Sequence, residues 1–265
     1  KEWGFFHWRG GFQLSLMWHQ GWSCSWLGRL QGAKLYVIRH FERIARVAKP
    51  PVIEDRQIEH LLKATAAYSR VPIRDTALLL VLYGTALSVT ELATITVGDY
   101  LDAKGAVRVT SAVRSDVSHN GETRPLYWSN KRVVSALDAY LAWRVEHKQG
   151  VTVKKGAYRG LDPESALFLT EDGGTYALTK RPLPSGVLSY SCNTLGAYIS
   201  RLHANAGIEG GSAQSARRTF AVKQHRQGRD LVHIAAILGH KSVSTTKRLV
   251  DGDPVRLAEI VARAV

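Results

Sequence analysis

The sequence predicts an α+β fold that is mainly α-helical and carries a small antiparallel β-sheet. Apolar residues recur at the three- and four-residue spacing of amphipathic helices through most of the chain. Two short segments rich in β-forming residues flank the dipeptide Asn120-Gly121, which is a strong turn signal. The dipeptide Pro50-Pro51 forces an extended link, so the main domain is expected to span residues 50–265.

Residues 1–49 form a separate N-terminal segment, for which the sequence predicts no domain of its own. Its first part is rich in tryptophan, but Arg9, His19 and several glycines interrupt it well short of a membrane-spanning run. A helix is predicted from Ala33 to Val47. No membrane association is expected.

Two core helices are predicted at the start of the main domain. Asp55 is suited to cap the first, which carries Ile58, Leu61 and Leu62 at helical spacing. The second is expected to begin near Pro72 and contains the run ALLLVLYGTAL. This run is too apolar for a surface position, so both helices are expected to be buried.

The remaining elements follow in order along the chain. The segments VRVTSAV and TRPLYWS form the predicted hairpin, and a helix follows through KRVVSALDAYLAWRVEH. Glycine- and proline-rich loops are expected up to Pro184, around a short ALFLT strand. Four further helical segments are predicted at 191–208, 217–228, 230–240 and 255–265.

The charge balance favours a polyanionic partner. The formal net charge is +14 and the isoelectric point is near 10.0, so carboxylates do not offset the lysines and arginines. Charge alone leaves nucleic acid, a membrane surface and a heparin-like polymer open. Cys24 and Cys192 are far apart and match no zinc spacing, so neither a disulfide framework nor a metal finger is indicated.

Three motifs occur in a fixed order in the main domain. The first motif is LYGTALSVTELATITVGDY (82–100), the second is SAQSARRTFAV (212–222) and the third is AAILGHKSVSTTKRLV (235–250). Each is weak alone, but their order and separation are hard to obtain by chance. From Pro50 onwards the chain therefore resembles the catalytic domain of the tyrosine recombinases, or phage integrases.

This resemblance implies a particular chemistry. In the family a tyrosine attacks a DNA phosphate and forms a 3′-phosphotyrosyl link, while arginines and a histidine stabilise the transition-state charge. No metal or other cofactor is implied. Arginine suits this role because its guanidinium is permanently charged and donates two parallel hydrogen bonds to phosphate oxygens.

The resemblance also implies which site positions are kept. Arg217 and His240 match the second arginine and the later histidine of the family. Ser88, Gln214 and Leu249 stand where the family has its first arginine, a histidine and the tyrosine nucleophile. Leucine has no nucleophilic atom, so cleavage by the usual route is not expected.

Most of these positions also have a structural interpretation. Ser88 and Glu91 have the spacing of a helix capping box, which is the favoured reading of the serine. Gln214 keeps a hydrogen-bonding amide but cannot transfer a proton near neutral pH. His240 follows a glycine turn, so it is suited either to bind phosphate or to cap the preceding helix.

Several basic residues near these motifs are candidates for DNA binding. The alternative for each is a position on a solvated face or strand. The candidates are Arg114, Arg124, Arg218, Lys241, Lys247 and Arg248.

The leading hypothesis is a protein of the nucleoid, in the cytoplasm, that binds double-stranded DNA in the recombination or integration of a mobile element without the usual strand cleavage. One alternative is an active recombinase with an unusual nucleophile or one supplied by another subunit. Another is a basic module that binds RNA or protein on the same scaffold. Leu257, Ile260, Val261 and Val265 lie on or near one face of the last predicted helix, which could close its own core or dock on a neighbouring protomer or a related recombinase subunit.

Overall fold

The computed structural model describes residues 49–265, except for 116–117, 119–120, 154–155, 183–187, 254, 256–257, 259–260 and 263–265. Lys49–Val265 forms one compact unit. The helix predicted from Ala33 to Val47 lies outside the described residues, as does Cys24.

The described residues contain nine named α-helices, one short 3-10 helix (Tyr158–Gly160) and two hairpins. The helices are α1 (Asp55–Tyr68), α2 (Pro72–Thr85), α3 (Val89–Thr94), α4 (Val97–Tyr100), α5 (Lys131–Glu146), α6 (Asn193–Asn205), α7 (Ala213–Arg226), α8 (Leu231–Leu238) and α9 (Val243–Val250). The antiparallel hairpins pair β1 (Thr110–Val113) with β2 (Arg124–Tyr127) and β3 (Thr179–Pro182) with β4 (Leu188–Ser191). The predicted class, mainly helical with a small antiparallel sheet, is confirmed.

The first helix begins one residue earlier than the sequence suggested. Glu54 is its N-cap, and a capping box joins Glu54 to Gln57. Asp55, the predicted cap, is instead the first helical residue, where its negative charge suits the positive end of the helix dipole.

Helix α2 is the central element of the unit. It packs against α1, α5 and α7, and Leu78, Val81 and Leu82 are fully buried. Its C-cap is Ala86, whose φ of +54° lies in the left-handed region that residues with a Cβ rarely adopt. The chain therefore turns sharply between α2 and the start of α3.

The first hairpin has the predicted partners and packs on the core through an aromatic pair. Thr110 faces Tyr127, and Val113 faces Arg124. The Trp128 ring, just after β2, meets Tyr100 edge to face with centroids 5.0 Å apart. Its indole N–H donates to the Asp99 carbonyl over 3.1 Å, so the buried nitrogen is satisfied.

The predicted ALFLT strand is wrong. Ala166 makes one isolated bridge with Thr96, and the next three residues enter the core without forming a named strand. Leu167, Phe168 and Leu169 are apolar because they are buried, and a short buried run cannot be distinguished from a strand by its composition. The second hairpin lies further on, where the sequence predicted partly loop and partly helix.

Only some residues of the predicted C-terminal helix are among those that the structure describes. Val255 and Val261 are helical and exposed, whereas Leu257, Ile260 and Val265 lie outside the described residues. In the part of the chain that the structure describes, no helix is long and apolar enough to cross a membrane.

Candidate functional site

Ser88 is the N-cap of α3 and completes the predicted capping box. Its Oγ accepts a hydrogen bond from the Glu91 backbone N–H over 3.3 Å. The Glu91 Oε2 accepts one from the Ser88 backbone N–H over 2.7 Å. The serine hydroxyl is thus used to begin a helix at the position that the resemblance assigns to an arginine.

Glu91 and Arg124 form a buried ion pair. The Arg124 Nη2 donates to Glu91 Oε2 over 2.7 Å and Nε donates to Oε1 over 3.3 Å, with the two side chains only 4% and 3% exposed. Burial alone would raise the pKa of Glu91, but the hydrogen bonds and charge of Arg124 outweigh it and hold that pKa below its ordinary value. Glu91 is therefore a carboxylate at neutral pH.

The third donor of Arg124 reaches the end of another helix. Its Nη1 donates to the carbonyl of Ile237 in α8 over 2.6 Å. Gly239 completes this contact, because a Cβ there would lie 2.6 Å from Arg124 Cδ. The expectation that Arg124 binds phosphate or lies on a solvated strand is therefore corrected. Its guanidinium faces the interior and joins β2 to α3 and α8.

Arg217 lies beside this ion pair, on α7. Its Nη1 donates to the carbonyl of Ala86 over 2.6 Å and lies 4.0 Å from Glu91 Oε2. Its Nη2 donates to the carbonyl of Leu238. Burial lowers the pKa of Arg217 to about 10, against the attraction of Glu91, so the side chain remains cationic at neutral pH.

These contacts define a buried charge cluster of Glu91, Arg124 and Arg217. It contains two guanidinium groups and one carboxylate, so its formal charge is +1. The Arg217 side chain is 13% exposed and therefore lies nearer to solvent than the ion pair. Excess positive charge at a nearly dry position suits the attraction of an anion.

His240 follows the left-handed C-cap Gly239 at the end of α8. Its backbone N–H donates to Ala235 O over 2.9 Å, and its ring Nδ1 lies 2.8 Å from Thr246 Oγ1 in α9. The residue thus closes α8 with its backbone and connects to α9 with its ring. Of the two interpretations that the sequence left open for His240, helix capping describes the contact of its backbone.

The other two positions that the resemblance marks as substituted lie on neighbouring helices. Gln214 is exposed on α7, one turn before Arg217. Leu249 is half-buried on α9 and packs against the apolar cluster that includes Ala86 and Leu238. Leucine at this position therefore contributes to docking α9 on the body of the domain.

The basic residues proposed for DNA binding fall into two groups. Like Arg124, Arg218 is buried: its Nε donates to Leu249 O over 3.0 Å and its Nη1 to Pro50 O over 2.5 Å. The phosphate contact expected of it is therefore corrected to a structural one. The remaining four are exposed: Arg114, Lys241, Lys247 and Arg248. Of these, Arg114 donates to the Thr94 carbonyl and Lys241 pairs with Glu122.

The structure thus brings the three motifs together. The first contributes Ala86 and Glu91, the second Arg217 and the third Leu238, all within one network of contacts. Sequence reasoning assigned Glu91 to helix capping and missed its ion pair with Arg124. The only local signal was a carboxylate in an apolar stretch, which does not identify a partner 33 residues away.

The domain is mainly helical, its three motifs meet around the interior Arg217, and His240 closes the adjacent helix. This arrangement defines a catalytic domain of the tyrosine-recombinase type. The chain belongs to the phage integrase family, whose model matches residues 51–254.

Individual relatives agree with this family. Tyrosine recombinase XerC of Myxococcus xanthus is 29% identical over 199 residues, covering 75% of this chain and 57% of the relative. Tyrosine recombinase XerD of Xanthomonas campestris pv. campestris is 26% identical over 200 residues, covering 75% of this chain and 54% of the relative. The chain therefore spans little more than half the length of either relative.

Solved structures show the same fold at lower identity. The XerA recombinase superposes with a TM-score of 0.57 at 23% identity, covering 81% of this chain and 65% of that one. The XerH site-specific recombinase bound to palindromic difH substrate gives a TM-score of 0.55 at 19% identity, covering 82% and 54%.

Proposed function

We propose that this chain is a DNA-binding domain of the site-specific recombinase family that takes part in recombination or integration of a mobile element, and that it does not cleave DNA through the family's tyrosine. The observation that carries the proposal is Leu249, which stands at the end of the third motif where the resemblance places the nucleophile. The last tyrosine of the chain is Tyr198, in α6.

Duplex DNA is the proposed partner for two reasons. The net charge of +14 favours a polyanion, and Lys247 and Arg248 are exposed on the helix that follows His240. The Tn1549 transposon integrase, which has a similar fold, was solved in complex with transposon right end DNA, and this supports the same partner here. A protein with this partner would act in the cytoplasm, on the nucleoid.

The residues that remain at the site support binding better than cleavage. Arg217 is cationic and held between two carbonyls, so it can attract a phosphate without large rearrangement. Ser88 adds no charge, and the Ser88 hydroxyl is engaged by α3. Gln214 can donate a hydrogen bond but cannot act as an acid or base near neutral pH.

Self-association is part of the proposal. The C-terminal segment is proposed to dock on a second protomer or on a related recombinase subunit through an apolar helical face. Val261 supports this, because it is 72% exposed in the single chain.

Two assays on one preparation test the proposal. Competition binding at physiological salt compares duplex DNA, single-stranded DNA and structured RNA, and we expect the duplex to compete best. A library of nicked suicide duplexes then tests cleavage. We expect no protein-DNA adduct that resists denaturation, whereas a family member that carries the tyrosine serves as the positive control.

The outcomes separate the competing functions. Equal competition by RNA and duplex would remove the DNA-binding proposal and favour a module that has abandoned DNA. Adducts formed by the unaltered chain would overturn the inactive reading and identify an active recombinase with a different nucleophile.

A further inference from the structure

The second hairpin, β3–β4, has no role in the candidate site described above. We propose that it is a DNA-contacting ribbon, in which Lys180 and Arg181 bind phosphates of the two strands beside the site. This inference rests on the proposed function, because it names a further surface through which the same duplex would be held.

The hairpin is anchored on the helix that begins at the site. Thr90 Oγ1, in α3, donates to the carbonyl of Tyr190 in β4 over 3.3 Å. At the other end of α3, Arg114 after β1 donates to the Thr94 carbonyl over 3.2 Å. Thr90 and Thr94 are separated by about 6 Å along a helix axis. The two hairpins therefore approach α3 near its opposite ends, and Ser88 caps the end that carries β4.

The charge of the hairpin is of one sign. All four residues of β3 are exposed, and Lys180 and Arg181 make no ion pair among the residues that the structure describes. No aspartate or glutamate occurs between Asp172 and Glu209 in the sequence. Several other surface arginines do have acidic partners, such as Arg132 with Glu59. An unbalanced pair of cations on an exposed strand fits a phosphate partner.

The geometry of a two-stranded ribbon suits a groove of duplex DNA. Adjacent strand residues point to opposite faces, so a ribbon that enters the groove edge-first presents Lys180 to one strand and Arg181 to the other. Lys180 Nζ lies 5.9 Å from the centroid of the Tyr190 ring, which restricts the side chain on its face. The major groove is wide enough for such a ribbon, and four residues extend about 13 Å, or roughly four phosphates along one strand.

The test is the salt dependence of binding to a mixed-sequence 40-bp duplex. Each phosphate contact contributes a slope of about −0.9 to log K against log salt. The double variant Lys180→Gln/Arg181→Gln is therefore expected to reduce the slope by about 1.8. Equivalently, the loss of affinity between 50 and 200 mM salt becomes about 12-fold smaller than in the unaltered protein.

The matched control removes two exposed charges from another surface. Arg56 and Lys63 lie on α1, which packs against α2 and α6. Arg56→Gln/Lys63→Gln makes the same change in net charge and is expected to leave the slope unchanged. Equal slope changes in both double variants would mean that only net charge matters, and the ribbon proposal would be wrong.

Lysine acetylation followed by mass spectrometry gives a second readout. The 40-bp duplex is expected to protect Lys180 and to leave Lys63 reactive. If the unaltered protein binds the duplex but Lys180 stays reactive and the slope is unchanged in the hairpin variant, the ribbon proposal fails alone. If the unaltered protein shows no preference for duplex DNA, the proposed function itself fails.

Discussion

At the scale of single residues, Leu249 and Ser88 have structural roles at the positions that the resemblance assigns to catalytic groups. Leu249 packs in an apolar cluster, and Ser88 forms two hydrogen bonds at the start of α3. Both residues are explained by local physical chemistry. The two proposed losses are separate, because one concerns the nucleophile and the other the stabilisation of phosphate charge.

Under the proposed function, these roles predict which changes would restore cleavage. Leu249→Tyr alone should form adducts with a suicide duplex at least about 100-fold more slowly than Leu249→Tyr/Ser88→Arg, because loss of one transition-state donor costs about two to three orders of magnitude. The Ser88 change removes a helix cap and should lower the free energy of unfolding by about 1 kcal/mol. Adduct formation is followed on denaturing gels.

A hydroxyl-free control separates chemistry from folding. Leu249→Phe/Ser88→Arg has nearly the same shape as the restored variant but no nucleophile, so it should form no adduct. Full cleavage by Leu249→Tyr alone would show that Ser88 is not a catalytic loss.

At the scale of elements, the Glu91–Arg124 pair connects three parts of the chain. Arg124 is on β2, Glu91 is on α3, and the Ile237 carbonyl is near the end of α8. Each member of a buried ion pair is costly to leave without its partner. The pair is therefore expected to fix the first hairpin against the two helices that carry the motifs.

Removing the arginine tests this connection. Arg124→Met should lower the free energy of unfolding by about 3–5 kcal/mol, since Glu91 would remain as a buried charge without its main partner. Arg56→Met, on the exposed face of α1, is the matched control and should change it by about 0.5 kcal/mol or less. Similar effects in both variants, measured by denaturant unfolding, would contradict a structural role for the pair.

The difference in stability between the unaltered protein and Arg124→Met should depend on pH. The pKa of Glu91 is lowered in the folded state, so its contribution to stability is present above the ordinary carboxyl value of 4.5 and is lost as the pH falls through the lower folded value. Protonated Glu91 needs no cation. The stability difference between the unaltered protein and Arg124→Met should therefore shrink as the pH falls into the acidic range.

At the scale of the whole molecule, the exposed basic residues and the C-terminal face act together in the proposed assembly on DNA. Positive charge would hold the duplex, while an apolar helix would join protomers or related subunits. Binding to one long polymer also raises the local concentration of protomers, which favours weak contacts between them.

Analytical ultracentrifugation checks the assembly. Free protein and protein on a 40-bp duplex are compared with Val261→Lys, which places a charge on the exposed part of the C-terminal helix. We expect assemblies larger than one protomer on DNA, and fewer of them in the variant. Monomers alone, both free and on DNA, would count against self-association.

Much of the fold was predictable because its signals are local. The capping box of Ser88 and Glu91 needs residues only three positions apart, and the apolar spacing of α2 and α5 is written along each helix. The buried Leu167–Leu169 run misled the strand prediction because apolar composition reports burial and not conformation. The second hairpin was missed because its prolines and glycine indicated loops.

The sequence by itself determined the helical class, the order of the three motifs and the leucine at position 249. Tertiary structure alone decided that Arg124 turns inward to Glu91, that Arg217 is held by the carbonyls of Ala86 and Leu238, and that two hairpins meet one short helix. The physical reason is the range of the interactions. Helix caps and periodicity depend on near neighbours in the chain, whereas the partner of a buried charge depends on which distant elements pack together.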